Sequence, residues 1–267
     1  MKEGRWVVRK YVSGQVVERS KVYIPGSRPI RKGRVKGSTT AAKADSNAMQ
    51  AVKQLARAIN CNFTRKDLYI TLTYAEGRLP EDWKQAEKET GNFIRRLNYQ
   101  LSKQRIQRVK WISVASEADG KSGEPVRPHT HVILSSSGIT FRDGDWWCGG
   151  KSLREIWGMG VVYCEPLRAQ QDYTPLAVYL IRQAGRQENR KKYRTSRNLA
   201  KPIVTEEEVR TGRPLRAPAG ARVVDQRYNT LDGVNYIRYI RPCSEPEGTG
   251  PGKRTGKTER AGGGGRT

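Results

Sequence analysis

Both histidines of the 267-residue chain stand one residue apart, His129 and His131, in the stretch VRPHTHVILSSSG that runs from Val126 to Gly138. Side chains alternate along a strand, so both imidazoles share one face while Val132 and Leu134 point to the other, which must be the core side. In the preceding apolar segment Ile112 and Val114 fall on one face, and Ser113, Ala115 and Glu117 on the opposite one. If the two segments pair as a hairpin, Glu117, His129 and His131 meet at its turn end on a single face. Two imidazoles and a carboxylate offer mixed nitrogen and oxygen ligation suited to a divalent ion such as Mn²⁺ or Mg²⁺, with positions left for water or a phosphate oxygen. Such an ion is a Lewis acid. Isolated strand histidines are more often a surface pair than a metal site; the nearby Glu117 and the basic charge of the chain favour the metal.

An ion that polarises a phosphodiester needs an attacking oxygen beside it. The segment DYTPLAVYLIRQAG supplies one on a short helix, with Thr174 as expected N-cap, Pro175 at the first helical position and Gly185 as stop. At 3.6 residues per turn, Leu176, Ala177, Leu180, Ile181 and Ala184 form one apolar stripe. Tyr179 lies off that stripe, beside Arg182 and Arg186, where a phosphate is attracted to its hydroxyl. The competing expectation is a tyrosine that packs at the edge of the core. Tyr173, before the helix, reads as a packing residue.

Several elements must position these groups. STTAAKADSNAMQAVKQLARAI gives an amphipathic helix over about 40–59, DLYITLTY a strand over 67–74, and the residues after Pro80 a helix over about 81–104. VKWISVASE (109–117) and HTHVILSS (129–136) are strands joined by a turn-rich connection, and GVVYCEPL is a further short strand. Residues 1–36 carry 11 Lys and Arg against 2 acids and alternate β-formers around a Ser-Gly turn, a basic hairpin. The last residues, from 243 to 267, are rich in Gly, Lys and Arg without apolar periodicity, a disordered basic tail.

Composition narrows the partner. The chain has 51 Lys and Arg against 26 Asp and Glu, a net charge of +25, and a pI near 10.2. A polyanion follows, and nucleic acid is favoured over a membrane because no apolar run is long enough to span a bilayer. Cys61, Cys148, Cys164 and Cys243 are scattered without a CxxC, so neither a disulfide framework nor a zinc site is indicated, and the start lacks the apolar core of a secretory signal. The expected compartment is the cytoplasm, that of a bacterial host by the likeness described next.

Taken in order, LYITLTY, RPHTHVIL and YLIR resemble the three motifs of rolling-circle replication initiators of the HUH endonuclease superfamily, especially the Rep proteins of small single-stranded DNA phages and prophages. The resemblance covers roughly residues 40–200, including SNAMQAVKQLARAINCNF before the first motif and KKYRTSRNL after the third. It implies an α+β fold, a central antiparallel β-sheet of HUH/RRM type with helices packed on one face and the metal on the other. It further implies that His129, His131 and Glu117 hold the metal and that Tyr179 attacks DNA, with Arg182 standing where the family has Lys. Thr130, between the histidines, replaces a bulky apolar residue and faces away from the ion.

The organisation expected is a basic hairpin at 1–36, an HUH endonuclease domain at 37–203, a small β-rich extension at 204–242 and the tail. Residues expected to contact phosphates are Arg127, Arg186, Arg190, Lys191, Lys192, Arg194 and Arg197; from Arg186 to Lys201 there are 7 basic residues and one acid. The function implied is a site-specific single-strand DNA endonuclease and strand transferase that makes a 5′-phosphotyrosine link at single-stranded or melted origin DNA and works with host replication proteins. No GxxxxGK[ST] loop is present, so a fused helicase is not expected. A tyrosine transposase or relaxase shares the chemistry, and a non-catalytic DNA- or RNA-binding regulator would explain the charge equally well.

Overall fold

The computed structural model describes residues 4–24, 26, 41–119, 122, 124–185, 191–210, 213–228 and 235–242, with backbone alone for 41–44, 117 and 118. The expected C-terminal tail lies outside the described residues. The chain opens with a hairpin, β1 (Arg5–Ser13) and β2 (Val16–Ile24), turned at Gly14. There φ is +59°, a conformation open to glycine at little cost. α1 (Ala41–Asn62), β3 (Leu68–Thr73), α2 (Trp83–Lys103) and the hairpin of β4 (Trp111–Ala118) with β5 (Pro125–Leu134) follow. A small sheet of β6 (Thr140–Arg142), β7 (Asp145–Cys148) and β8 (Lys151–Ser152) leads through α3 (Leu153–Trp157) into β9 (Val162–Pro166) and α4 (Thr174–Gln183). β10 (Arg194–Thr195), β11 (Ile203–Val209), β12 (Arg222–Tyr228) and β13 (Asn235–Ile240) complete the described elements.

The central sheet is antiparallel throughout, in the order β10, β4, β5, β3, β9. Its inner strands show why the sequence reads as it does. In β3, Leu68, Ile70 and Leu72 are fully buried on one face. Tyr69, Thr71 and Thr73 take the other. The first face carries the expected helical layer: α2 brings Phe93, Leu97 and Leu101, at the spacing that stacks one side of a helix, and α3 adds Trp157. A further layer, α1 with α4, covers part of the second face through Leu55, Ile59, Ala177, Leu180 and Ile181. Ile112, Val114 and Ile133 are its floor. β5 is therefore covered on both sides over Thr130–Leu134, which explains its continuous apolar run.

The N-terminal hairpin pairs with residues beyond 200, giving a second antiparallel sheet in the order β11, β1, β2, β13, β12. This sheet is fastened to the helical layer by two buried ion pairs. Arg57 of α1 donates to both carboxylate oxygens of Glu18 in β2, at 2.9 and 2.7 Å, and lies 3.6 Å from the Tyr11 ring centre. Arg238 of β13 stands 3.3 Å from Asp172, just before α4, and donates to the Thr174 hydroxyl. No helix among the described residues is long and apolar enough to cross a membrane.

Candidate functional site

His129 and His131 lie on β5, and register decides what surrounds them. His131 pairs with Val114 on β4 and Thr71 on β3; His129 pairs with Ser116 and Thr73. Direct partners in an antiparallel ladder share a face. The histidine face is therefore that of Ile112, Val114 and Ser116, which corrects the expectation that it is the face of Ser113 and Ala115. The hairpin is also irregular at this end. Between the Ser116–His129 and Ala118–Pro125 pairs, β4 advances two residues while β5 advances four. Pro128, which lacks an N–H for the ladder, sits inside that interval. Glu117 lies on β4 between those pairs, and its side chain is outside the described residues.

The two imidazoles face one another, Nε2 to Nε2, at 3.1 Å. His129 Nδ1 stands 2.9 Å from the Arg127 carbonyl, which can only accept, so that nitrogen carries a hydrogen and Nε2 presents a lone pair. His131 Nδ1 meets two hydroxyls, Tyr69 at 2.8 Å and Thr71 at 3.2 Å, either of which can donate or accept. Its tautomer can therefore follow whatever Nε2 meets. His131 is 5% exposed, and burial first, then the neighbouring His129, lowers its pKa to about 3, so the ring is neutral at ordinary pH. Neutral imidazole is the form that ligates metals. Burial likewise raises the pKa of Tyr69, keeping its hydroxyl protonated beside His131.

Tyr179 is brought to the same place by α4. Its ring centre is 5.7 Å from that of His131, and the residue is 40% exposed. The apolar stripe lies as its periodicity requires: Ala177, Leu180, Ile181 and Ala184 are buried against α1 and β4, while Tyr179 and Arg182 are exposed. Capping differs from the expectation. The helix begins at Thr174 with Tyr173 at the N-cap, making no side-chain cap bond. Asp172 instead accepts from the Thr174 amide at 2.9 Å and its hydroxyl at 2.6 Å. One turn beyond Tyr179, buried Gln183 accepts a short hydrogen bond from Ser116, the residue opposite His129. Helix and histidine strand are thus tied within one residue of the site.

The expected phosphate contacts are placed less uniformly. Arg127 is exposed at the start of the histidine segment and donates to the Tyr74 carbonyl at 3.0 Å. Lys192 donates to the Gly185 carbonyl just past the end of α4, a favourable place for a cation. Arg194 reaches α2, donating to the Glu87 carbonyl. Lys191 and Arg197 are exposed; Arg186 and Arg190 lie outside the described residues. Sequence reading missed Tyr69, Thr71, Ser116 and Gln183. The alternation of Tyr69, Thr71 and Thr73 in the first motif was the available signal: it marks a polar strand face beside the histidines.

The fit to a divalent ion can be judged from the donors. Two nitrogens bound at ~2.1 Å and roughly at right angles to each other lie ~3.0 Å apart, which the Nε2 separation matches. Their outer nitrogens are held by a carbonyl and by hydroxyls, the support that metal-bound histidines ordinarily have. Among the described residues, no set of three His, Cys, Asp or Glu side chains surrounds such an ion. The imidazoles thus supply two donors.

Fold and site together define an antiparallel sheet with helical layers, on which a strand histidine pair meets a helix tyrosine. Residues 67–184 match the family model described as Replication-associated protein of the ORF2 group, a span from the start of β3 to the end of α4 that contains all three motifs. The match is to a Rep-like replication protein, in keeping with the motif resemblance, and gives the segment a role in replication. No curated protein and no solved structure matches the chain.

Proposed function

We propose that the chain is a rolling-circle replication initiator, a metal-dependent endonuclease and strand transferase acting on single-stranded or locally melted origin DNA. The observation that carries this reading is the meeting of His129, His131 and Tyr179 on one sheet face, the tyrosine ring 5.7 Å from the inner histidine. His129 and His131 would hold Mn²⁺ or Mg²⁺, with Glu117 as a further candidate ligand. When bound, such an ion supplies Lewis-acid polarisation of the scissile phosphate. The Tyr179 hydroxyl oxygen forms a bond to phosphorus and the bond to the 3′ oxygen breaks. The 5′ side remains linked to the tyrosine; the phenol loses its proton and the departing 3′ oxygen gains one. One phosphodiester replaces another, so rejoining is the same exchange in reverse and needs no nucleotide cofactor. Arg182, three residues on from Tyr179 and exposed, is placed to meet the phosphate charge. The released 3′-OH is a primer for a host polymerase.

The test is to incubate the protein with labelled single-stranded DNA pools and Mn²⁺ and to look for an adduct that survives boiling in detergent. Wild type is expected to form it, and Tyr179→Phe and the His129→Ala/His131→Ala double variant are expected not to. An adduct that persists in Tyr179→Phe would assign the attack to another residue. No adduct from a protein that binds the same DNA tightly would favour a non-catalytic binding role.

A further inference from the structure

Beside the histidine face, β9 is the edge strand of the central sheet, and between it and the β6–β7 hairpin runs an open groove of about 480 Å³. Its lining differs from the rest of this basic chain. Phe141 and Tyr163 stand at the groove with 61% and 63% of their surface in water. Phe141 is tilted against Trp146 at 5.3 Å, and the Trp146 indole is fixed by donating to the Cys164 carbonyl. Asp145 and Glu165 also line it, and together with burial these two carboxylates push the Cys164 thiol up to about 12, which places both near that wall. Arg154 is a cation on the lining.

The groove is continuous with the site. Tyr69 and Thr71 line it, and the same two hydroxyls hold His131. Tyr163 is the direct partner of Thr71, which is the direct partner of His131, so the exposed ring lies two strands, roughly 10 Å, from the imidazole. Two carboxylates repel a phosphate, yet they accept hydrogen bonds from exocyclic amino groups such as N4 of cytosine. Exposed rings on fixed supports are stacking platforms for unpaired bases. We propose that the groove is a subsite for one unpaired, amino-bearing nucleobase of the strand whose phosphate is held at the histidines. This rests on the endonuclease reading above and deepens it: Asp145 and Glu165 select against thymine, and Phe141 and Tyr163 stack.

The test uses the full chain carrying Tyr179→Phe, so that no adduct forms, and measures anisotropy of labelled oligo-dC and oligo-dT. Oligo-dC is expected to bind about tenfold more tightly. Adding Asp145→Asn with Glu165→Ala is expected to bring the ratio of the two affinities close to one. Adding Phe141→Ala instead is expected to weaken both strands about fivefold or more. Equal affinities that the carboxylate variants leave equal would overturn the inference. So would a tightening of both strands in equal proportion, which would mark the groove as a phosphate seat. The adduct assay on mixed DNA separates the two readings: adduct formation without base preference overturns only the subsite, whereas neither binding nor adduct overturns both.

Discussion

A nearly buried imidazole has consequences for pH. In the unfolded chain His131 titrates near ~6.5, whereas in the fold it titrates near 3. Between those values the unfolded state binds the proton and the folded state does not, so stability falls as pH drops below about 6.5 and the loss is complete below the folded value. From pH 7 to pH 5 this single ring should cost about 2 kcal/mol. Urea unfolding in EDTA at the two pH values should show that loss, and His131→Gln should lack it; an unchanged difference in the variant would assign the pH dependence to other groups. Tyr69 acts on the same ring from behind. Tyr69→Phe keeps the stacked aromatic and removes the 2.8 Å contact to Nδ1. If the imidazoles hold Mn²⁺, calorimetry should find its affinity weakened about tenfold or more, with the fold intact by circular dichroism.

At the scale of elements, the mouth of the site depends on how closely β3 and the approach to β9 can run. A Cβ at Gly160 would come within 2.5 Å of the Thr73 carbonyl oxygen and 2.7 Å of the Ala75 amide, both backbone atoms with little room to move. Gly160→Ala is expected to pry these segments apart at the strand end opposite His129, lowering stability by about 1–3 kcal/mol. It should also slow adduct formation. A thermal melt indistinguishable from wild type would contradict this. The start of α4 is under similar control, because Asp172 serves both the Thr174 amide and Arg238 of the second sheet. Tyr179 is thus positioned from outside its own helix.

For the molecule as a whole, the two sheets behave as one structure only if the clamps between them hold. Glu18 is 5% exposed and receives Arg57 through both oxygens, with the Tyr236 hydroxyl donating at 3.2 Å. Glu18→Ala would leave the guanidinium buried and unpaired, which costs about 3–5 kcal/mol. Urea unfolding measures it. The exposed pairs of Arg5 with Glu208 and Arg9 with Glu206 on the outer strands should contribute little by comparison. The net charge of +25 acts at longer range. Binding to single-stranded DNA should weaken at least about tenfold between ~50 and ~200 mM salt, and a flat salt response would argue against phosphate contacts as the main source of affinity.

What the sequence determined by itself is local. The alternation of DLYITLTY, the paired strands around the histidines and the apolar stripe behind Tyr179 all survive in β3, the β4–β5 hairpin and α4, because strand and helix periods are written in neighbouring residues. The order of the three motifs carried the family likeness for the same reason. Tertiary structure decided which residues meet. The histidines face Ser116 rather than a neighbour chosen by counting, since the extra residues around Pro128 shift the register and no local pattern reports a shift across strands. Tyr69 and Thr71 became supports of His131, and Tyr163 became an exposed ring beside them, only when β3 was placed between β5 and β9. The N-terminal hairpin found its partners some 190 residues away, through contacts between β1 and β11 that no periodicity within either strand encodes.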